Sequence, residues 1–228
     1  MRVLFSKFLD FLLPFHCPSC GVKIDSNTGL ICKNCINKIK LADKERIKDE
    51  FSRKFSKDNY LNDFTSLFIF EKEKELQTII HRLKYEQKFL LGKYLGQLIF
   101  EGRKDRLYEW QPDLIIPVPL HHLKKAERGF NQSLYLARGI AVRSGIPVGA
   151  KYIIRHRYTE SQTRLSQSER ELNVKDAFKL RKLKQIEGKK ILLIDDVITT
   201  GATINECARI LRNNGADKIY AVSVAIAD

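Results

Sequence analysis

The sequence predicts an α/β protein built on a parallel sheet, with a small cysteine-rich knuckle at its N-terminal end. Short apolar runs alternate with segments of helical apolar spacing from about residue 63 onward. Such alternation is typical of βαβ units, in which helices cover both faces of a parallel sheet. Four of the five cysteines form two CxxC pairs between residues 17 and 35, and this spacing is typical of a metal-binding knuckle.

Apolar periodicity predicts the individual elements. Strands are predicted at Phe64–Phe70, Leu114–Pro119, Tyr152–Arg155, Lys190–Ile194 and Lys218–Ile226. Helices are predicted at Leu76–Leu83, Leu90–Ile99, Asn131–Arg143 and Ala202–Arg212. We therefore expect an N-terminal helix and knuckle over residues 1–38, a charged linker with one solvated helix over 39–62, and the α/β domain over 63–228.

Composition excludes several classes of protein. The chain has 228 residues, of which 43% are hydrophobic and 30% are charged, which argues against a disordered, collagenous or multi-span membrane protein. Lysine and arginine number 41 against 27 acidic residues, a formal net charge of +14. Most of this excess lies between Leu120 and Lys190. It predicts an anionic partner, such as nucleic acid, a phosphorylated metabolite or a membrane surface; the alternative is a basic surface that only aids solubility.

The first residues are apolar enough to resemble a signal peptide. Lys7 and Asp10 interrupt the run, which is too short to span a bilayer, and Pro14-Phe15-His16 lacks the small residues of a cleavage site. The spacing instead predicts a short helix whose apolar face packs on the protein, with a peripheral membrane contact as the alternative. We expect no stable membrane insertion and a cytoplasmic location.

The paired cysteines are candidate ligands for a metal ion. They are Cys17, Cys20, Cys32 and Cys35. Two residues inside each pair let both thiolates face one centre, and two pairs can close a tetrahedral four-sulfur site. Thiolates select zinc or iron, and without a redox context we favour structural zinc. The alternative is two disulfides, which need an oxidising compartment that the absent export signal argues against.

The segment with the most candidate ligand-binding residues follows the apolar run Ile191–Ile194. Two carboxylates, Asp195 and Asp196, come next, and the run Thr199-Thr200-Gly201-Ala202-Thr203 then leads into a helix. Open α/β sheets bind ligands beyond the carboxyl ends of strands, where a helix N-terminus offers unpaired amides to a phosphate. A phosphorylated ribose would place its hydroxyls on the two acids and its phosphate in the turn. Helix capping is the alternative, but it explains single residues rather than the whole run.

This stretch resembles the phosphoribosyl pyrophosphate (PRPP) binding motif of type I phosphoribosyltransferases. Further segments resemble landmarks of the ComF family, phosphoribosyltransferase-like proteins associated with bacterial competence for DNA uptake. These are the cysteine knuckle, Leu83-Lys84-Tyr85, Pro117-Val118-Pro119-Leu120, Arg128-Gly129-Phe130-Asn131-Gln132-Ser133, and the series Gln162, Leu165, Arg170, Asn173 and Ala177-Phe178. The resemblance spans about Cys17 to Asp228.

The resemblance implies the type I phosphoribosyltransferase fold and a set of residue roles. Asp195 and Asp196 would hold the ribose hydroxyls at the catalytic centre, and the turn at Leu120 would meet the pyrophosphate. The 5′-phosphate would bind at Thr199, Thr200, Gly201, Ala202 and Thr203, and Val197 would also contact PRPP. A magnesium ion would bridge pyrophosphate and ribose oxygens while keeping its own waters. The acceptor substrate stays open.

Basic residues surround this segment in the sequence and would neutralise a leaving pyrophosphate. They are Lys124, Lys125, Arg128, Arg155, Arg157, Arg164 and Arg170. The polar stretch Thr159–Arg170 is interpreted either as a lid that excludes water from the ribose or as a plain surface loop.

Two functions agree with these observations. The first is a magnesium-dependent phosphoribosyltransferase that acts on PRPP and an unidentified nucleophile, in a protein that serves DNA uptake and natural transformation. The second is a competence factor that binds single-stranded DNA or a helicase partner, with the PRPP pocket as a sensor or relic. In the second, the basic segment and Tyr135, Tyr152 and Tyr158 would track a phosphate backbone, unless these tyrosines belong to the core.

Overall fold

The computed structural model describes residues 15–24, 29–158, 173–181 and 185–227. Its strands are β1 (Phe15–His16), β2 (Lys23–Ile24), β3 (Asp63–Phe70), β4 (Leu114–Pro117), β5 (Ile153–Arg155), β6 (Phe178–Leu180), β7 (Lys190–Ile198) and β8 (Lys218–Ala227). Its helices are α1 (Lys33–Lys38), α2 (Lys44–Phe55), α3 (Glu75–Tyr85), α4 (Phe89–Trp110), α5 (His122–Arg128), α6 (Gln132–Ser144) and α7 (Ala202–Asn213). Among these described residues, no helix has the length and apolar character needed to cross a membrane. The predictions for the N-terminal helix and for the Thr159–Arg170 stretch fall outside them.

Four strands form a parallel sheet in the order β3, β8, β7, β4. Each neighbouring pair is parallel, with Asp63 opposite Tyr220, Ile191 opposite Ile219, and Leu114 opposite Ile191. β7 and β8 are the inner strands and are buried on both faces, which explains their long apolar runs. The predicted parallel α/β sheet is confirmed.

Helices cover both faces of the sheet. Successive residues of a strand point to opposite faces, so the buried strands present apolar side chains to the helices on each side. Leu192 and Ile194 of β7 belong to an apolar cluster shared with α3, α4 and α6. Ile191 and Leu193 belong to the opposite cluster, which is shared with α7 and the end of α2. All four side chains are fully buried, so β7 is the centre of the core.

α4 and α6 cross with almost no side chain between them. A Cβ atom on Gly96 would collide with the carbonyl oxygen of Leu136, and one on Gly139 would collide with that of Lys93. Only glycine lets the two backbones approach this closely. The crossing fixes the position of α6, whose first residues reach the candidate site.

The segment between the knuckle and β3 packs on the core. Backbone bonds join it to the edge of β3, from Ala42 N to Leu67 O at 3.1 Å and from Ile69 N to Lys40 O at 2.9 Å. The helix predicted in this segment is present as α2, but its last residue, Phe55, is only 1% exposed. Its inner side is therefore buried rather than solvated. The division of the chain into three parts stays a prediction.

Some elements differ from their predicted bounds. β7 continues through both carboxylates to Ile198, where it still pairs with Ile226 of β8, whereas the prediction ended this strand at Ile194. α1, α5, β1, β2 and β6 were not predicted, since each is too short to show a clear apolar period. The strand predicted at Tyr152–Arg155 is present as β5, but its antiparallel pairing with β6 was not predicted.

Candidate functional site

The candidate site lies where β7 continues beyond the end of its neighbour β4. Pro117, the last residue of β4, pairs with Ile194, and Val118 N donates the next bond to Ile194 O at 3.0 Å. Asp195 and Ile198 remain paired with β8 on the other side. The edge of β7 that follows Ile194 is therefore open beside the end of β4, where open α/β sheets bind their ligands.

The two carboxylates contact different partners. Asp195 Oδ1 accepts the Ser133 hydroxyl at 3.0 Å and the Asp196 amide at 2.9 Å. Asp196 Oδ1 accepts the Val197 amide at 2.7 Å. Asp196 Oδ2 lies 3.0 Å from Lys84 Nζ, but the ammonium approaches outside hydrogen-bond geometry, and within the described residues this buried oxygen accepts no hydrogen bond. It has a charge partner and an open acceptor position.

Both acids are largely shielded from solvent. Asp196 is 4% exposed, whereas Asp195 is partly exposed. Burial, followed by the neighbouring charge of Asp196, raises the pKa of Asp195 to about 7, while the Asp196 amide, the Ser133 hydroxyl and the Lys84 ammonium oppose this shift. Asp195 therefore changes its charge close to neutral pH, and the charge of Asp196 is balanced by Lys84.

The turn 199–201 joins β7 to α7. Gly201 is the N-cap of α7, with a φ of 81° that favours glycine. The first amides of α7 have no acceptor within the helix, and the Ala202 amide makes only a long contact with Thr200 Oγ1, at 3.4 Å. The cleft beside them measures about 40 Å³ and is lined by Asp195 and residues 197–204. Unpaired amides at a helix N-terminus suit an anion.

The residues predicted to meet the pyrophosphate follow β4. Leu120 is partly buried and precedes His121, whose side chain caps α5. Arg128 ends α5, and its guanidinium lies 5.4 Å from the centre of the Tyr85 ring. Leu120 and Arg128 thus lie at the two ends of the short α5 connection that leaves β4.

The landmark run Arg128–Ser133 joins this connection to the carboxylates. Asn131 Nδ2 donates to Val118 O at 2.9 Å, and Asn131 Oδ1 caps α6 by accepting the Ser133 amide at 3.0 Å. The Ser133 hydroxyl then bonds Asp195. The run therefore fixes the start of α6 against the end of β4 and brings a hydroxyl donor to the site.

Cationic side chains gather around the carboxylates. Burial lowers the pKa of Lys124, and the nearby charges that lower it further are those of Arg155, Arg128 and Lys84. The charge of Asp195 acts in turn on Arg155. Like charges held this close favour binding of an anion, because the anion relieves their repulsion.

Other members of the predicted basic set lie elsewhere. Arg157 donates to the carbonyl oxygens of Asn173, at 3.2 Å, and Lys175, so it is engaged with backbone rather than with the carboxylates. Lys125 is exposed on α5. Arg164 and Arg170 fall outside the described residues.

Sequence reasoning gave no role to Lys84 or Ser133, although both occur in landmark segments. Lys84 reaches Asp196 from the last turn of α3, and Ser133 reaches Asp195 from the first turn of α6. Nothing in the local pattern connects either residue to an acid, because these contacts join distant segments. Their place in the landmark segments was the one available signal.

The four predicted metal ligands form one cluster. The sulfur atoms of Cys17, Cys20, Cys32 and Cys35 all lie within 4.8 Å of one another, and Cys20 Sγ is 3.7 Å from Cys32 Sγ. A tetrahedral zinc ion with bonds of about 2.3 Å needs sulfur atoms roughly 3.8 Å apart, so this set fits zinc. No disulfide links these four cysteines.

The cysteine cluster packs directly on α3. Ile31 and Cys35 belong to the same apolar cluster as Leu76 and Leu83 of that helix, and Lys38 forms an ion pair with Glu75 at its start. The helix that packs on the knuckle therefore also carries Lys84.

Comparison with known proteins identifies the class of the α/β domain. Residues 93–227 match the family described as phosphoribosyl transferase domain. Among solved structures, the allosteric regulatory enzyme of purine biosynthesis is 25% identical, with a TM-score of 0.40 over 58% of this chain and 25% of that one. From the family match, the chain belongs to the phosphoribosyltransferase-domain proteins.

Curated relatives narrow this class. Competence protein F of Haemophilus influenzae is 34% identical over 66% of this chain and 67% of its own length. DNA utilization protein YhgH of Salmonella typhimurium is 30% identical over 88% of this chain and 79% of its own length. Competence protein ComFC of Streptococcus pneumoniae is 31% identical over 68% of this chain and 66% of its own length. The chain belongs to the ComF family.

Proposed function

We propose that the chain binds PRPP together with Mg²⁺ and serves DNA uptake and natural transformation as a phosphoribosyltransferase-like protein. One observation carries this proposal: Asp195 lines the cleft at the turn of Gly201, and the neighbouring Asp196 lies 3.0 Å from the Lys84 ammonium, where β7 continues beyond the end of β4. Carboxylates accept hydrogen bonds from hydroxyl groups, and the turn suits a phosphate. A phosphorylated sugar with a diol and a second anionic group matches this arrangement.

Each part of the ligand has a matching part of the site. The 5′-phosphate would bind the amides and hydroxyls of residues 199–203, beside Val197, and the ribose hydroxyls would donate to Asp195 and Asp196. The pyrophosphate would lie toward Leu120 and Arg128. Cations already in position there stabilise the charge that develops on a leaving pyrophosphate.

Magnesium fits this site as an ion that keeps most of its waters. Asp196 Oδ2 accepts no hydrogen bond among the described residues, but Lys84 Nζ already lies 3.0 Å away. The two carboxylates would therefore hold the ion through its waters rather than as direct ligands. The bound ion would supply positive charge to the pyrophosphate oxygens.

The four-cysteine cluster would hold structural zinc, because a closed set of four thiolates leaves no position for a substrate. Thiolate sites persist where thiols stay reduced, so we propose a cytoplasmic location. We also propose that residues 1–38 form the zinc unit, that 39–62 join it to the main domain, and that residues 63–228 form that domain.

The names of the relatives, competence protein and DNA utilization protein, support the role in DNA uptake. If turnover occurs, it transfers the phosphoribosyl group to a nucleophile and releases pyrophosphate, with Asp195 and Asp196 as the catalytic residues in contact with the ribose.

Titration calorimetry of the full, zinc-loaded chain with PRPP and MgCl₂ tests the proposal. We expect a dissociation constant of about 1 μM to 1 mM, the usual substrate range. The double substitution Asp195→Asn and Asp196→Asn should abolish the heat, whereas Asp49→Asn, an exposed acid on α2, should leave it unchanged. An absence of heat with the unmodified chain would reject PRPP as the ligand.

A second candidate function is binding of single-stranded DNA, with a competence helicase as a further partner. It is favoured by cation–aromatic pairs beside the site: Lys124 Nζ lies 5.9 Å from the Tyr158 ring centre, and the Arg128 guanidinium lies over Tyr85. Tyr158 is 45% exposed and Tyr85 is 49% exposed. Exposed rings beside cations can stack bases along a phosphate backbone.

Salt dependence tests whether the chain contacts the phosphates of DNA. The affinity for an oligonucleotide should fall with salt, with a log–log slope of about 0.7 for each phosphate contacted. Tyr85→Ala and Tyr158→Ala should weaken binding without changing this slope. A flat response to salt would dismiss direct DNA binding.

A further inference from the structure

Lys84 occupies the last turn of α3 and is the charge partner of Asp196. Its ammonium lies 3.0 Å from Asp196 Oδ2, and its side chain is 24% exposed while that of Asp196 is 6% exposed. An ionised carboxylate this deeply buried needs a compensating charge, because burial disfavours its charged form. Lys84 supplies that charge from within the chain.

The ion pair engages Asp196 Oδ2 without filling the acceptor sites of the carboxylate, which has about four lone-pair positions. Oδ1 is engaged with the Val197 amide, whereas Oδ2 accepts no hydrogen bond from the described residues. A buried pair with a purely structural role normally satisfies its hydrogen-bond positions, and it adds little stability over an apolar pair. The contacts with the Val197 amide and with Lys84 therefore leave the carboxylate of Asp196 with acceptor capacity for a donor from outside the chain.

We propose that Lys84 is a positioning residue which holds Asp196 in place as an acceptor for a ribose hydroxyl, so that the ribose 5-phosphate portion of the ligand binds without a metal ion. This inference rests on the proposed function and assigns the two portions of the ligand to different cations. Magnesium would then be required for the pyrophosphate portion only, since the cation beside the diol-binding acid belongs to the protein.

Ribose 5-phosphate is the appropriate probe, because it carries the diol and the phosphate but no pyrophosphate. We expect the zinc-loaded chain to bind it in buffer without magnesium. Lys84→Met should weaken this binding about tenfold or more, as expected for loss of a charge-supported hydrogen bond. Lys84→Arg should restore most of the affinity, which a role in packing alone would not predict.

Lys88→Met is the matched control. Lys88 lies close to Lys84 in the chain but pairs with Glu86 at 2.8 Å, so its loss should leave the affinity for ribose 5-phosphate unchanged. Thermal unfolding of each variant checks that it is folded. If Lys84→Met does not fold, the magnesium dependence of the unmodified chain decides the question, because binding of ribose 5-phosphate only with magnesium would overturn the inference.

The outcomes separate this inference from the proposed function. Equal affinity of Lys84→Met and the unmodified chain for ribose 5-phosphate would overturn the role of Lys84, while binding of PRPP with magnesium would still stand. Failure of the unmodified chain to bind either PRPP or ribose 5-phosphate would reject the proposed function and the role of Lys84 with it.

Discussion

Phe55 packs against Gly201 so closely that a Cβ atom on the glycine would lie 2.7 Å from the ring. A second contact joins the same elements, since Asn205 Nδ2 on α7 donates to Lys54 O at 3.1 Å. The charged segment before the α/β domain thus supports the turn at which we expect a phosphate to bind. The shape of that turn depends on a helix far away in the sequence.

Replacing Gly201 by alanine should therefore disturb both fold and ligand binding. The left-handed backbone and the collision with Phe55 together should lower the free energy of unfolding by about 2 kcal/mol or more, and PRPP binding should weaken. Gly188→Ala is the control, because Gly188 has a φ of 67° but open space around its Cβ position. Denaturant unfolding of both variants measures the difference, and equal losses would contradict the role of Phe55.

The raised pKa of Asp195 predicts a pH-dependent stability. Its value of about 7 lies above the ordinary 3.8, so the folded state binds more protons than the unfolded state between these values. The contribution of this group to stability is therefore present at low pH and is lost as pH rises from about 4 to 7. Asp195→Asn removes the titrating group.

Urea unfolding across this pH range tests the prediction. The free energy of unfolding of the unmodified chain, relative to Asp195→Asn, should fall with increasing pH by at most about 1.4 kcal/mol per pH unit. The difference should stop changing above about pH 8. Parallel pH profiles of the two proteins would show that Asp195 keeps an ordinary pKa.

Ser133→Ala should act on the site through Asp195. The lost hydroxyl donates to Asp195 Oδ1 at 3.0 Å and favours the ionised carboxylate, so its removal should raise the pKa of Asp195 further and weaken PRPP binding. The stability loss should be about 1 kcal/mol. Ser144→Ala is a matched control on α6, because its Oγ accepts the Ile146 amide at 3.2 Å away from the carboxylates. NMR titration of the Asp195 carboxyl measures the pKa in both variants.

Much of the fold was predictable from the sequence, because its strands and helices repeat their apolar residues with clear periods. The run from Ile191 to Ile194 predicted the central strand, and the cysteine spacing predicted the cluster that the structure contains. α5 was missed, because seven mostly polar residues show no apolar period. The end of β7 was misplaced, because charged residues normally end a buried strand, whereas here pairing with β8 continues beneath the acids.

The sequence predicts residues for the candidate site, but it does not predict their geometry. The sequence treats Asp195 and Asp196 as a matched pair, yet neighbouring residues of a strand point to opposite faces. The helices that meet the two acids nevertheless cover the same face of the sheet: Ser133 on α6 contacts Asp195, and Lys84 on α3 contacts Asp196. These partners depend on how distant helices pack and leave no local pattern in the sequence.

Metal removal should affect the candidate site through α3, because the cysteine cluster shares an apolar cluster with this helix and Lys38 forms an ion pair with Glu75 at its start. We expect about one zinc per chain, and chelation or Cys17→Ser should lower the melting temperature, since structural zinc contributes directly to folding. Lys84 should lose its fixed position, so the affinity for ribose 5-phosphate should fall as well.

Cys207→Ser is the control: this cysteine is buried outside the cluster, and its variant should keep the full zinc content. Unchanged melting and affinity in a metal-free chain would show that the knuckle and the carboxylate site are independent.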